Sequence, residues 1–364
     1  MALCLSGWAR HAVALDARKA IGQYVHRSWE SASGLPQNSI NAIARTPDGY
    51  LWLATQDGIA RFDGVRFVVF DTTTTPAFKS NGTNALLVDW KGDLWIGTDD
   101  GLVCYTGGRF VAFDTRNGLA DNSAQSIHQD RAGTLWIGSW RGLSAMKKGA
   151  ERFTPLTALA GERVLSVGQD RSGTMWIGTS GGLRRLAGET AEHVPVPGGR
   201  PNPPIHAIYQ DADRDLWLGT ETGLMRMVDG RLERIGAAED VRSLVVDRDR
   251  NLWIGTYGKG LKRRVGATVS ASVKPNALAN DAVYSLFEDR EGNLWVGTSG
   301  TGLHRLHDGR FTAFDDSPSA TVSTVKRPFL NRLSPPPSVP IQRVPSRPSV
   351  MPKARECARP SRTV

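Results

Sequence analysis

Short apolar runs along most of the chain are separated by breaks rich in glycine and aspartate, and no stretch follows the period of an amphipathic helix. The runs come in groups of four, the pattern of four antiparallel strands joined by tight turns. In the second run of each group, such as Leu94-Trp95-Ile96-Gly97, both parities are apolar. A strand with one wet face would alternate, so both faces of this one should be covered.

The group recurs seven times, starting at Ile40, Thr83, Ala124, Val164, Ile205, Val241 and Val283. Each copy carries a tryptophan in its second run: Trp52, Trp95, Trp136, Trp176, Trp217, Trp253 and Trp295, spaced 43, 41, 40, 41, 36 and 42 apart. A four-stranded unit of this length is one blade of a β-propeller, in which every sheet is packed between two neighbours. The predicted fold is therefore all-β: a seven-bladed β-propeller of four-stranded antiparallel blades over residues 21–316, with the seven indoles as structural blade anchors. Trp95 and Gly97 share a face, so the glycine is expected to let the adjoining blade approach the indole closely.

Aspartate stands six positions before the tryptophan in six copies, with Thr46 the exception, and glycine three positions before it in five, with Arg214 and Arg250 departing. Both residue types suit a tight turn. An acidic cluster for calcium or catalysis is the other reading, but similar turns spread around a ring cannot converge on one ion. The segment Gln23–Trp29 followed by Gly34-Leu35-Pro36-Gln37-Asn38-Ser39 parallels Arg109–Phe113 followed by Gly118-Leu119-Ala120-Asp121-Asn122-Ser123. An extra outer strand thus precedes the first copy and should close the ring on the last blade, in competition with Arg310–Phe314.

Charge changes the picture little. The net +9 is concentrated after Asp316, where nine basic residues face Glu356 alone, so the folded part is near neutral and nucleic acid is not an expected partner. Residues 317–364 hold ten of the 20 prolines and none of the 39 glycines, and are expected to form a disordered Pro/Arg-rich tail, either a native linker or the product of a shifted reading frame. Residues 1–20, with a short apolar stretch and the small-residue triplet Ala12-Val13-Ala14, look like the remnant of a signal peptide. No run is long enough for a membrane span. The odd set Cys4, Cys104 and Cys357 supports neither a disulfide framework nor a zinc site.

GLPQNS ahead of a blade, then DRAGTLWIGS or DREGNLWVGT, then a Gly-Leu third strand, resembles the two-component regulator propeller repeat over about residues 23–315. In that family the repeats form periplasmic sensor propellers, often in tandem. A β-sandwich, a membrane helix and a cytoplasmic histidine kinase or diguanylate cyclase follow, in membrane-anchored dimers. The resemblance implies an extracytoplasmic, periplasmic sensing propeller of a bacterial two-component or cyclic-di-GMP receptor that detects a small-molecule or glycan ligand. No output module is expected in this chain.

The loops between second and third strands vary most, and they face the end of a propeller where ligands sit. Trp140 and Tyr257 are candidates for stacking on a ligand, and Asp99, Asp100, Arg141, Glu221 and Lys259 for directional hydrogen bonds, with ordinary solvated loop residues as the bland alternative. No catalytic residue, metal or cofactor is expected: His304 and His307 should face opposite sides of a strand, and no nucleophile elbow, zinc helix or phosphate loop occurs. Two alternatives remain, a protein-interaction scaffold and an enzyme similar to the streptogramin lyase propellers.

Overall fold

The structure, a computed structural model, describes residues 14–197, 200–211, 215–228, 230–271, 278 and 281–309. The competing strand Arg310–Phe314, the expected tail and most of the expected leader lie outside these residues. Seven four-stranded antiparallel sheets follow one another along the chain, and among the described residues the only helical elements are single 3-10 turns. The innermost strands are Ile40–Arg45, Thr83–Val88, Ala124–Gln129, Val164–Gln169, Ile205–Gln210, Val241–Val246 and Val283–Glu288, for blades 1 to 7 in order. Each touches the next, and the last returns to the first, which makes the circuit closed.

The second strands, Leu51–Thr55 and its counterparts, are buried along nearly their whole length. Six of the seven anchor indoles are buried; Trp136 is half-buried, in the blade whose outermost strand is only Thr154–Pro155. The expected close approach at the glycines is present. A Cβ on Gly97 would lie 2.7 Å from the carbonyl oxygen of Ala124, and one on Gly297 would lie 2.7 Å from Ile40 Cγ2. Those two contacts belong to the first residue of the adjoining blade, so the missing side chain sets how tightly blades wedge together.

The turn before each indole does two jobs. In blades 2 to 7 the aspartate accepts the indole N–H through Oδ2, as in Asp170 to Trp176 at 2.8 Å, and takes a turn N–H on Oδ1. In blade 1 the Thr46 hydroxyl accepts from Trp52 Nε1 at 2.9 Å instead. Arg250 adopts φ +66° where five blades place glycine, so this turn imposes the left-handed region even on a residue with a side chain.

Closure runs through the N-terminal strand. Val25–Trp29 pairs antiparallel with Leu303–His307, from Val25 opposite His307 to Trp29 opposite Leu303. Trp29 stacks on Trp295 with centroids 5.5 Å apart. Residues 14–20, placed with the leader on sequence grounds, pack onto the ring: Leu15 joins Ile21 and Tyr24 in a core with Trp253 and Leu294. The buried guanidinium of Arg263 donates to the Tyr24 hydroxyl and to the carbonyls of Ala17 and Lys19, and Asp308 accepts from the backbone N–H of Asp16 at 3.0 Å. Cys104 pairs with Trp95 across the sheet and is fully buried.

Candidate functional site

Every innermost strand begins with the same irregularity. In blade 1, Ile40 pairs with Thr55 and Ala42 with the next residue back, Ala54, so Asn41 has no partner across the sheet. The same bulge recurs in all seven blades and frees Asn84, Gln125, Leu165, His206, Arg242 and Tyr284 in turn. A bulge bends its strand and re-aims one side chain. Its preceding residue, such as Ile40 or Val164, is held in place because it fills the glycine gap of the blade before. Seven fixed wedges therefore present seven side chains of six kinds, asparagine occurring twice, and all seven line one cavity of about 390 Å³ at the channel mouth.

Arg163, Pro204, Gln56 and Ser180 complete much of the wall. The Arg163 guanidinium lies over the Trp140 ring at 5.0 Å, and that of Arg242 over Tyr257 at 5.1 Å. Tyr257 and Tyr284 stack at 16° with centroids 6.4 Å apart. Asp240 Oδ2 takes Arg242 Nη2 at 2.5 Å, and its Oδ1 stands 3.7 Å from His206 Nε2. Burial first, then the neighbouring Arg242, pushes the His206 imidazole down to about 4, so it is neutral near pH 7. Two larger clefts, between blades 2 and 3 and between blades 4 and 5, open beside the turns at the other end of the blades.

The structure brings some of the sequence candidates to this mouth. Trp140 and Tyr257 are exposed at 51% and 54% and reach it through their arginines. Asp99 reaches it through Asn84, whose Nδ2 donates to Oδ1 at 2.8 Å. Asp100 accepts from Asn122 at 3.0 Å and Glu221 pairs with Arg200 at 2.6 Å, while Arg141 and Lys259 are exposed. Sequence reasoning missed Gln125, Arg163, His206, Arg242 and Tyr284. Four of them occupy the position directly after the fixed first residue of a copy, where the seven repeats read Asn, Asn, Gln, Leu, His, Arg and Tyr. Among the described residues no group of three or more His, Cys, Asp or Glu is arranged to hold a metal, and no helix is long and apolar enough to cross a membrane.

The repeat family described as two component regulator propeller matches residues 34–57, 118–141, 158–181, 199–222, 236–258 and 277–300. No curated protein matches the chain significantly. Among solved structures, the chain is similar to the extracellular domain of a putative hybrid two component system from B. thetaiotaomicron, at 23% identity and TM-score 0.71, over 79% of this chain and 42% of that one. It is also similar to the extracellular domain of a putative one component system from the same organism, at 20% identity and TM-score 0.67, over 78% and 40%. The chain thus spans about two fifths of the length of both. Virginiamycin B lyase from Staphylococcus aureus shares the fold at 11% identity and TM-score 0.62, over 78% of this chain and 99% of that one. With six of its seven blades carrying a matched segment, all but the one that starts at Thr83, the chain is a propeller of two component regulator propeller repeats.

Proposed function

We propose that this propeller is the extracytoplasmic ligand-sensing module of a bacterial two-component or cyclic-di-GMP signalling receptor, and that the ligand, a small molecule or glycan fragment, binds in the channel mouth. One observation carries the reading: seven bulges aim side chains of six different kinds into a single cavity while the frame behind them repeats. Variation confined to one position of a rigid frame is the arrangement a recognition surface requires. The similarity to extracellular domains of sensor systems supports the placement outside the cytoplasm. Asp99, Asp100, Trp140, Arg141, Glu221, Tyr257 and Lys259 form the rim in this reading, and the bulge residues form the floor.

The reading is of a binding module and not of an enzyme. Asp240, whose Oδ1 stands 3.7 Å from His206 Nε2, is ion-paired with Arg242 through Oδ2. A thermal-shift screen of glycan fragments and small metabolites on the full chain tests it. The expected result is a stabilising ligand whose effect disappears in Tyr284→Ala and in Gln125→Ala. A ligand indifferent to both substitutions would refute the channel mouth, and consumption of a streptogramin by the purified chain would restore the lyase alternative.

A further inference from the structure

The channel mouth holds more hydrogen-bond donors than the protein satisfies. On the wall from blades 3 to 6, Gln125 Nε2 and Arg242 Nε are buried without a hydrogen-bond partner. Arg163 lies against the face of Trp140 and forms no ion pair among the described residues. The acceptor left over on this wall is Asp240 Oδ1, 3.7 Å from the neutral His206 Nε2, while Oδ2 of the same carboxylate is paired with Arg242. The facing wall is different, since Asn41 Nδ2 donates to the Thr83 carbonyl and Asn84 Nδ2 to Asp99, both at 2.8 Å. Both asparagine amides there have an acceptor within the protein.

A buried donor that has lost water and found no partner is unfavourable, and the Arg163 guanidinium together with the unpartnered Nε of Arg242, whose Nη2 is taken by Asp240, offers donors for the two oxygens of a carboxylate. The rings of Trp140, Tyr257 and Tyr284 border the same wall and give a flat surface for a ring. We infer that the mouth selects a ring-borne carboxylate, held by Arg163, Arg242 and Gln125 with its ring against the aromatic rim. The inference rests on reading the channel mouth as the ligand site. The shared chemistry has two sources, a uronic sugar or an aromatic acid.

Thermal shift of the full chain against matched pairs tests it: glucuronate and galacturonate fragments with their neutral sugars, benzoate-type acids with their amides, and glucose 6-phosphate as a non-carboxylate anion. The expected result is stabilisation by the carboxylate member of one pair, with its neutral partner about tenfold weaker or worse. Which pair responds identifies the source. Arg163→Met, at an exposed position, should lower that affinity by about tenfold while melting like wild type without ligand, and Lys148→Ala at the other end of the blades should change neither. Neutral members binding as tightly, with loss of binding in Tyr284→Ala, would overturn the carboxylate and leave the ligand site standing. A response to the phosphate alone, or an unaffected Arg163→Met, would also overturn it. No stabilisation by any probe would overturn both.

Discussion

The indole N–H of Trp253 donates to Asp247 Oδ2 at 2.8 Å, while Oδ1 of the same carboxylate accepts from the backbone N–H of Asn251 at 2.8 Å. One side chain therefore closes the hairpin between the innermost and second strands and fixes the rotation of the indole that fills the space between blades. Asp247→Ala leaves a buried indole N–H and a turn N–H without their acceptor. The expected cost is about 3 kcal/mol, read from urea unfolding. A loss below about 1 kcal/mol would mean that water or another acceptor replaces the carboxylate.

Blade spacing gives a second expectation. In Gly297→Ala the new methyl would meet Ser285 Oγ at 2.2 Å and Ile40 Cγ2 at 2.7 Å, where the ring is closed between blades 7 and 1. Neither neighbour is a free side-chain end: Ser285 Oγ bonds the Ile40 carbonyl at 3.1 Å, and Ile40 is fully buried. Overpacking of this kind costs about 1–3 kcal/mol. Gly22→Ala, with no atom within 4 Å of the added methyl, serves as the control and should be neutral. Equal melting temperatures for the two variants would show that the blades can move apart at no cost.

The blade count, the four-strand unit and the indole positions are legible because each repeats: a periodic signal survives variation in any one copy. The aspartate at the turn is legible as a turn residue, but its bond to the indole six positions on is a tertiary fact about rotamers, and no local propensity reports it. The channel mouth is harder for the opposite reason. A bulge frees one residue without any glycine or proline to mark it, so Asn41 and Tyr284 read as ordinary strand positions. Trp140 and Tyr257 stand out in the sequence as exposed aromatic residues, whereas Arg163 and Arg242, which bring them to the cavity, look like solvated charge until the fold places them there.

The seam joins residues far apart in sequence, so removing the N-terminal strand should affect the whole ring. Deletion of residues 1–29 strips Leu303–His307 of its outer partner and Trp295 of the stacked Trp29, and it leaves the buried Arg263 guanidinium without the acceptors Tyr24, Ala17 and Lys19. An unpaired buried charge alone costs several kcal/mol. The expected outcome is a single transition at a clearly lower melting temperature, because blades in a closed circuit lose support together. An unchanged melting temperature would show that another strand completes the last blade.

Acid should weaken the fold through its neutral histidines. His304 is buried, shares a 2.8 Å bond with His26 across the seam and bonds Thr301, which in turn donates to Asp281. Burial first, then His26, pushes its imidazole down to about 4, and His206 at the channel mouth is likewise pushed down to about 4. A histidine in the unfolded chain titrates near about 6.5. Because the folded values are the lower ones, each group's contribution to stability is fully present above about 6.5 and is lost as pH falls from there towards 4. Unfolding in this window takes up protons, so stability should fall with acidity by up to about 1.4 kcal/mol per pH unit for each such group. His304→Asn and His206→Asn should each flatten the dependence by up to one proton, measured by urea titrations from pH 7 to pH 4. A slope unchanged in both variants would mean that these imidazoles already titrate near their ordinary value in the folded ring.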